Sequence, residues 1–222
     1  PSYVFSTSEG YVKLLGSYAT SYITPNLTQL FGAFGGNPDL EPEENRTFEG
    51  GVEYAINKKL RVSALYFDRN EKNTIGYDQN FMSINLADEI DANGVEVEVS
   101  WQALDQFTVD ANYTFTERKG DNAIRIPKHK ANLNVGYQPC KKTNITLNYA
   151  YTGERFDTDF TTFTDVALES FSLVNLYVGH ELIPNKLDLF FSADNLLNED
   201  YTEILGFTTR GRNFRIGMNL NL

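Results

Sequence analysis

Few residues in this chain have the type and spacing that enzymatic chemistry requires. His129 lies in the segment PKHKAN and His180 in YVGHEL, and nothing at metal-ligand spacing accompanies either of them. No serine stands in a Gly-x-Ser-x-Gly segment, the local signature of a nucleophilic serine on a strand-to-helix turn. We therefore predict that both histidines are strand residues and that the protein is not an enzyme, with no catalytic residue, no metal site and no cofactor.

Three aspartates, Asp157, Asp159 and Asp165, lie close together in the sequence and raise the question of a cation site. Carboxylate oxygens are ligands that Ca²⁺ prefers, but a dedicated calcium loop also contains a bidentate Glu and a turn-forming Gly. The Asp-x-Asp spacing lacks both of these. The sequence favours a solvated, mutually repulsive acidic loop and leaves calcium binding as the alternative.

Aromatic residues in the irregular segments are the best candidates for ligand contact. Exposed rings supply a large contact area at low entropic cost, which suits a bulky ligand. The same rings could instead pack one loop against another, and the sequence does not decide between the two roles. The candidates are Tyr22, Phe31, Phe34, Phe156, Phe160, Phe163, Tyr201 and Phe207.

Composition narrows the class of protein. The chain has 222 residues, 14% of them aromatic, which is far too many for a disordered protein. A net charge of −11 argues against nucleic acid and against an anionic membrane surface, because both reward Lys and Arg. The single cysteine, Cys140, excludes an internal disulfide, and no apolar run reaches the 18 residues of a transmembrane helix.

Apolar and polar residues alternate along nearly the whole chain, which is the pattern of half-buried β-strands. In NITLNYAYTG, for example, Ile145, Leu147 and Tyr149 point one way while Thr146 and Asn148 point the other. This alternation predicts about eleven strands, with ends placed to within about 2–4 residues. They lie near 1–8, 11–20, 45–57, 60–79, 80–102, 106–119, 123–139, 143–156, 168–182, 186–196 and 209–222.

Strand length and loop length favour a membrane barrel over a soluble β-sandwich. Sandwich strands average about 5–6 residues, whereas several here exceed the ~9–11 residues with which a tilted strand crosses a bilayer. Connections after the odd-numbered strands are tight, as in SEG, NKK and CKK. Those after the second, sixth, eighth and tenth strands are longer, which is the asymmetry of outer-membrane barrels.

Two segments resemble the TonB-dependent outer-membrane receptors. NPDLEPEENRTFEGGVEY is similar to the Asn-Pro-x-Leu-x-Pro-Glu segment and Glu-Gly strand in the C-terminal half of these receptors. DNLLNEDYTEILGFTTRGRNFRIGMNLNL is similar to their closing pattern, and IPKHKANLNVGY resembles their Pro-x-His strand. The match extends over essentially the whole chain. Within the family, Ser21 to Leu30 and Tyr149 to Thr162 most resemble the cobalamin receptors.

This resemblance implies an all-β fold, an antiparallel meander of about 11 long strands that is the C-terminal half of a 22-stranded transmembrane β-barrel. Residues 1–222 are then a partial β-barrel domain, with the plug domain and the N-terminal strands absent. Such a sheet has two unpaired edges, each costing several kcal/mol per unsatisfied backbone group in lipid. The missing N-terminal half with its plug domain is therefore an expected partner.

The resemblance also implies a function, an active transporter of the bacterial cell outer membrane. The barrel would bind a metal chelate, cobalamin first, in extracellular loops such as residues 21–44. An inner-membrane energy-coupling protein would then act through the plug to release it inward. A surface lipoprotein and outer-membrane lipid are further implied partners, and nucleic acid is not. The alternatives are a ferric-siderophore receptor and a soluble secreted β-sandwich that serves as a binding or adhesin domain.

Overall fold

The computed structural model describes residues 1–119 and 123–221, which form fifteen strands and one short helix. No helix in these ranges is long and apolar enough to cross a membrane. In chain order the elements are β1 (Ser2–Ser6), β2 (Gly10–Ile23), α1 (Leu27–Phe31), β3 (Glu43–Ile56), β4 (Leu60–Lys72), β5 (Ile75–Tyr77), β6 (Ser83–Asn85), β7 (Ile90–Leu104), β8 (Phe107–Arg118), β9 (His129–Cys140), β10 (Thr143–Thr152), β11 (Arg155–Asp159), β12 (Thr164–Leu168), β13 (Phe171–Ile183), β14 (Leu187–Asp194) and β15 (Asn213–Leu220).

Eleven of the strands form one continuous antiparallel sheet, in the order β1-β2-β3-β4-β7-β8-β9-β10-β13-β14-β15. Two small hairpins, β5–β6 and β11–β12, stand apart from it in the connections β4–β7 and β10–β13. The predicted meander of about eleven long strands is confirmed. Because these strands make one sheet rather than two sheets packed face to face, the β-sandwich alternative is wrong.

The sheet register collects polar side chains on one face. Residues that are directly paired share a face, and Asn148 is paired with both Asn134 and Asn175. The Asn148 amide donates to Asn134 Oδ1 at 3.0 Å, and the Asn175 amide donates to Asn148 Oδ1 at 3.1 Å. A third pair, Asn132 to Asn112, adds a hydrogen bond of 3.0 Å. This amide ladder links β8, β9, β10 and β13 across the polar face.

The opposite face of the sheet carries a band of apolar residues, and beyond this band, toward the start of β7, the residues on the same face are polar. On β7, Val99, Val97 and Val95 point to this face, and Val97 is paired with Ala64 and with Tyr113. Further along the same face of β7 the residues become Asn93 and Asp91. The band therefore ends at a sharp boundary, as a surface that meets hydrocarbon and then water should.

The two ends of the sheet differ in their connections. At one end, the tight-turn end, the connections after β1, β3, β7, β9 and β13 contain two or three residues. Asn57, Lys58 and Asn185 take left-handed backbone angles there, with φ of 48°, 55° and 57°, as tight hairpin turns require. The other end, the long-loop end, carries the connections 24–42, 73–89, 119–128, 153–170 and 195–212. The predicted sorting of short and long connections is confirmed.

Four predicted strand boundaries are wrong. The strands predicted at 60–79 and 80–102 stop at Lys72 and begin at Ile90, and the alternation between them belongs to the hairpin β5–β6. The strand predicted at 143–156 ends at Thr152, because Arg155 onward pairs within β11–β12. The strand predicted at 123–139 begins only at His129. Residues 120–122 and 222 fall outside the described residues. Alternation cannot distinguish pairing in the main sheet from pairing in a separate hairpin.

Buried apolar residues lie at the long-loop end and not in the middle of the sheet. In the described residues they form two groups along the chain, one of Leu40, Ile90 and Ala92 and one of Leu168, Phe171 and Ala193. Buried polar residues accompany each group, Asn45, Glu71, Thr74 and Ser83 with the first and Arg155, Asp157, Ser192 and Asn195 with the second. The long loops thus pack on small cores of their own.

A charge on the apolar band should destabilise the protein in the bilayer. We expect Val97→Arg to cost about 2–4 kcal/mol in lipid, because a cation at the middle of the hydrocarbon layer is poorly solvated. Glu98→Arg, the next residue and on the polar face, is the matched control and should insert normally. Unfolding by urea in lipid vesicles measures the difference. Equal stability of the two variants would contradict the assignment of faces.

Candidate ligand-binding loops

The long loops at one half of the long-loop end form a hydrogen-bonded unit, which we call the first loop assembly (residues 24–42 and 73–89). The Ser83 amide donates to the Gly35 carbonyl at 2.8 Å, and the Asn37 side-chain amide donates to the Ser83 carbonyl at 2.9 Å. The Glu41 amide donates to Asn85 Oδ1 at 2.9 Å. These contacts join the first long loop to the hairpin β5–β6, so the two behave as one surface.

Helix α1 is part of the first loop assembly and has a clear local cause. Asn26 Oδ1 accepts from the Gln29 amide at 2.9 Å, while Gln29 Oε1 accepts from the Asn26 amide at 2.8 Å. This reciprocal capping box satisfies free amides at the start of a helix. Phe31 is the last residue of α1 and is followed closely by Phe34, so the short helix presents two of the predicted ligand-contact residues.

A buried ion pair lies beneath the first loop assembly. Arg118 on β8 makes two hydrogen bonds to Glu71 on β4, of 2.9 Å from Nη1 and 2.6 Å from Nη2. Arg69 Nε lies 2.9 Å from the same carboxylate. Bidentate pairs of this kind are strong and geometrically specific. They fix the ends of β4 and β8 across the intervening β7 and give the loops a rigid base.

Asp157 organises a second unit, which we call the second loop assembly (residues 123–126, 153–170 and 195–210). Its side chain is fully buried and accepts from Arg125 Nε at 2.8 Å, from the Leu205 amide at 2.9 Å and from the Thr158 amide at 2.9 Å. Burial alone would raise the pKa of Asp157, but these hydrogen bonds outweigh it and hold the pKa below its ordinary value. The carboxylate therefore stays ionised and joins three segments of the chain.

The expectation of a solvated acidic loop is wrong for Asp157. Asp159 instead accepts from the Thr161 amide at 2.7 Å, and Asp165 accepts from Thr158 Oγ1 at 3.3 Å, so the three aspartates have separate local roles. Within residues 1–119 and 123–221, no three His, Cys, Asp or Glu side chains are arranged to hold a metal ion. The spacing of these aspartates reflects turn formation and loop docking.

Arg155 anchors the last long loop to the same assembly. It is buried, donates from Nη2 to the Thr202 carbonyl at 2.6 Å, and lies over the Phe171 ring at 5.2 Å from the ring centroid. Phe171 in turn packs on Tyr201, with ring centroids 4.5 Å apart. Burial and the nearby charge of Glu203 raise the pKa of Tyr201. Of the predicted ligand-contact residues, Tyr201 thus packs against the start of β13.

Most of the other candidate aromatic side chains point into solvent at the long-loop end. Phe34 is 98% exposed, the highest value among the large apolar residues described. Phe31, Phe160, Phe163 and Phe207 are also largely exposed, and Phe156 is half-exposed. Tyr22 is exposed as well, but it lies opposite Glu44 on the face that carries the apolar band, apart from the loop aromatics. The loops thus present an aromatic surface built from several connections.

Sequence reasoning missed two exposed aromatics, Tyr77 and Phe81, because it placed them in long strands. Both belong to the hairpin β5–β6 region, and the Phe81 ring lies 6.3 Å from that of Phe163 in the second loop assembly. The signal that could have found them is the Asp-x-Asn turn sequence at Asp78 to Asn80, which interrupts the alternation.

Both histidines are strand residues, as predicted. His129 on β9 lies beside Tyr113, with Nδ1 2.7 Å from the phenol oxygen, and His180 on β13 lies beside Thr143, with Nδ1 2.9 Å from Oγ1. The Cys140 thiol lies 3.3 Å from the same Thr143 hydroxyl at the tight-turn end. These pairs are local cross-strand contacts.

The fold and the loops together define a class of protein. Residues 4–196 match the model of the TonB dependent receptor-like β-barrel, and the chain therefore belongs to this family. Its location is the bacterial outer membrane. Members of the family are transport receptors and not enzymes.

Among solved structures, the chain is similar to the ferric-catecholate import receptor Fiu of E. coli K12, with 20% identity, a TM-score of 0.77, and 99% of this chain and 34% of that chain covered. It is similar to the pyoverdine outer membrane receptor FpvA of Pseudomonas aeruginosa PAO1, with 18% identity and a TM-score of 0.79. The match covers 100% of this chain and 35% of that chain. It is also similar to the copper transporter OprC, with 17% identity and a TM-score of 0.78. The match covers 100% of this chain and 39% of that chain. At these identities the likeness is one of fold, and the chain spans about a third of each of these proteins.

Gly35 should be essential for docking of the hairpin β5–β6. Its φ is +75°, and a Cβ there would collide with the Phe81 carbonyl, so Gly35→Ala introduces both strain and a clash. We expect faster hydrogen exchange at the Ser83 amide, which bonds to Gly35. Gly206→Ala is the matched control, because Gly206 has a φ of +82° but open space around it. Unchanged protection of Ser83 in Gly35→Ala would contradict this account.

The second loop assembly should loosen in acid. Because the pKa of Asp157 is lowered in the folded protein, its ionised carboxylate stabilises the loops at pH values above the ordinary carboxyl pKa of about 3.9. This stabilisation is lost as the pH falls through the pKa of the folded protein. We expect the Leu205 amide to lose its protection from hydrogen exchange only at pH values below the ordinary pKa range of a carboxyl group. Asp157→Asn should remove that protection at neutral pH, at a cost of ~1–3 kcal/mol for unsatisfied buried donors. The control Asp165→Asn should leave it intact, and loss of protection there would refute the assignment.

Proposed function

We propose that this chain is part of an outer-membrane receptor that binds a metal chelate at its long-loop end and imports it. The observation that carries the proposal is the aromatic surface there, formed by Phe31, Phe34, Phe160, Phe163 and Phe207 from three separate connections. Exposed apolar rings gathered on one part of a protein mark a binding site. No bond of the ligand is made or broken, so the protein is a transporter and not an enzyme.

The long-loop end faces the outside of the cell in this proposal, and the tight-turn end faces the periplasm. The polar face with its amide ladder lines the barrel lumen, and the apolar band contacts outer-membrane lipid. Residues 1–222 then serve as a partial β-barrel domain. It is completed by N-terminal strands and filled by a plug domain, through which an inner-membrane energy-coupling protein acts. A surface lipoprotein is a further proposed partner.

Cobalamin is the chelate that the sequence favours, because Ser21 to Leu30 and Tyr149 to Thr162 resemble the corresponding segments of cobalamin receptors. A ferric siderophore is the second candidate. It is supported by the similarity in fold to a ferric-catecholate import receptor and to a receptor solved with pyoverdine bound. Both ligands are bulky chelates, and an aromatic surface suits either one.

Direct binding tests the proposal. The protein as encoded by its full gene would be purified from outer membranes and titrated with cyanocobalamin, a ferric hydroxamate and a ferric catecholate, with tryptophan and tyrosine fluorescence as the readout. We expect saturable binding of at least one of the three. Failure of all three to bind would reject chelate transport.

Loss of Phe34 should weaken binding of the preferred chelate about tenfold, since 1.4 kcal/mol corresponds to a factor of ten and a central aromatic contact is commonly worth that much. Phe34→Ala should not disturb folding, because the ring is almost wholly exposed. Tyr137→Ala is the matched control, an exposed aromatic on β9 at the tight-turn end. Equal affinities of the two variants would show that the ligand does not contact Phe34.

A further inference from the structure

The two loop assemblies meet at a pair of aromatic rings, and this inference about the ligand rests on the proposed function. Phe81 of the first assembly and Phe163 of the second have ring centroids 6.3 Å apart with an interplanar angle of 61°. Each ring is 67% exposed, so the pair forms an open edge-to-face contact and not a buried core. A ring system of the ligand could contact both assemblies at once here.

The backbone at both rings is held in an unusual conformation. Phe81 and Phe163 have φ of 60° and 54°, in the left-handed region that bulky residues rarely occupy. Such outliers cost of order 1–3 kcal/mol and occur where the surroundings impose them, frequently at ligand contacts. An ordinary loop would place Gly or Asn at these positions. The presence of Phe at both indicates that the rings have a role in contact.

An aspartate imposes each of these conformations. Asp78 accepts from the Asn80 and Met82 amides at 2.8 Å, and its carbonyl accepts from the Phe81 amide at 3.0 Å. In the second assembly, Asp159 accepts from the Thr161 amide at 2.7 Å, and its carbonyl accepts from the Phe163 amide at 2.6 Å. The two turns are alike in design. Both rings are therefore presented from rigid turns before any ligand arrives, which lowers the entropic cost of binding.

The charge around these rings selects against anions. The five connections at the long-loop end contain fourteen acidic and six basic residues, and the first loop assembly contains no Lys or Arg at all. In the second assembly Arg125 is paired with Asp157, and Arg155 is buried among backbone carbonyls. Arg210, the third cation of that assembly, is exposed, but the assembly contains eight acidic residues. Recognition of a multiply charged anion relies on available Arg and Lys side chains. The negative potential instead attracts cations, and aromatic faces add to this attraction.

From the ring pair and the charge together, we infer that the ligand is a chelate without net negative charge that carries a planar apolar group, and that this group binds at Phe81 and Phe163. A neutral or cationic chelate with an extended ring system fits this description. A triply negative ferric tris-catecholate does not.

Competition between chelates of different charge tests the inference. The protein as encoded by its full gene would be titrated at low salt with cyanocobalamin, with a singly positive ferric tris-hydroxamate that bears a free amine, and with a ferric tris-catecholate. We expect cyanocobalamin, which is neutral and carries an extended ring system, to bind at least tenfold more tightly than the trianion. The tris-hydroxamate lacks such a ring system and tests the effect of charge alone, so it should also bind more tightly than the trianion. Because screening shortens the reach of charge, this preference should shrink in ~1 M salt.

Variants at the ring pair separate a binding role from a structural one. Phe81→Leu and Phe163→Leu keep apolar volume but remove the ring, and each should weaken binding of the preferred chelate about tenfold. Phe81→Tyr keeps the ring and should bind as the unmodified protein does. Hydrogen exchange at the Ser83 amide in the Phe81 variants and at the Leu205 amide in Phe163→Leu should not change, which would show that the loop assembly carrying each substitution is intact.

Removal of loop charge should reduce the discrimination between chelates. Asp88→Asn combined with Asp200→Asn changes two exposed carboxylates at the long-loop end, and should narrow the preference roughly two- to threefold, as expected for exposed charges. Glu9→Gln combined with Asp105→Asn, two exposed acids at the tight-turn end, is the charge-matched control and should leave it unchanged.

The outcomes are distinguishable. Binding of the tris-catecholate as tightly as the other chelates at low salt, or full affinity in Phe81→Leu and Phe163→Leu, overturns this inference while the proposed function stands. Failure of every chelate to bind overturns both.

Discussion

Backbone hydrogen bonding between neighbouring strands is the constraint on which the rest of this structure depends. Within a bilayer no water is present to satisfy free N–H and C=O groups, and each one left unpaired costs several kcal/mol. Between neighbouring strands the chain meets this demand with one continuous sheet from β1 to β15, and only the outer edges of these two strands are left unpaired in it. Pairing then fixes the register, and register fixes the face on which each side chain lies. The amide ladder and the apolar band are both consequences of it.

The same constraint explains why the candidate site lies where it does. Inside the sheet, each residue is committed to pairing and to one of two faces, and little freedom remains for building a site. At the long-loop end, water can satisfy the backbone, so irregular segments are tolerated. Order there comes from specific polar contacts, above all the buried carboxylates of Asp157 and Glu71 with their arginine partners. Those contacts hold aromatic rings in exposed positions that a purely apolar core would have buried.

The sequence predicted the sheet well because its main signal, alternation, is a direct product of strand geometry. The meander, the tight turns and the ends of most strands could all be inferred from it. The loops could not, because the contacts that shape them join residues distant in sequence, such as Asp157 with Leu205 and Gly35 with Ser83. Phe34 and Phe160 could be selected as exposed aromatics from their irregular surroundings. Phe81 was missed because a local hairpin produces the same alternation as a strand of the main sheet.

The two small buried cores beneath the loops also bear on how such a protein can evolve. Leu40 and Ile90 belong to one core, and Leu168 and Phe171 to the other, while the sheet below is stabilised by its own hydrogen-bonded ladder. A mutation that repacks one core can reach the other through the contact of Phe81 with Phe163, but sites that share no partner contribute nearly independently to stability. Each loop assembly can therefore be exchanged or remodelled as a module. A new ligand preference can arise in one assembly while the barrel and the other assembly stay unchanged.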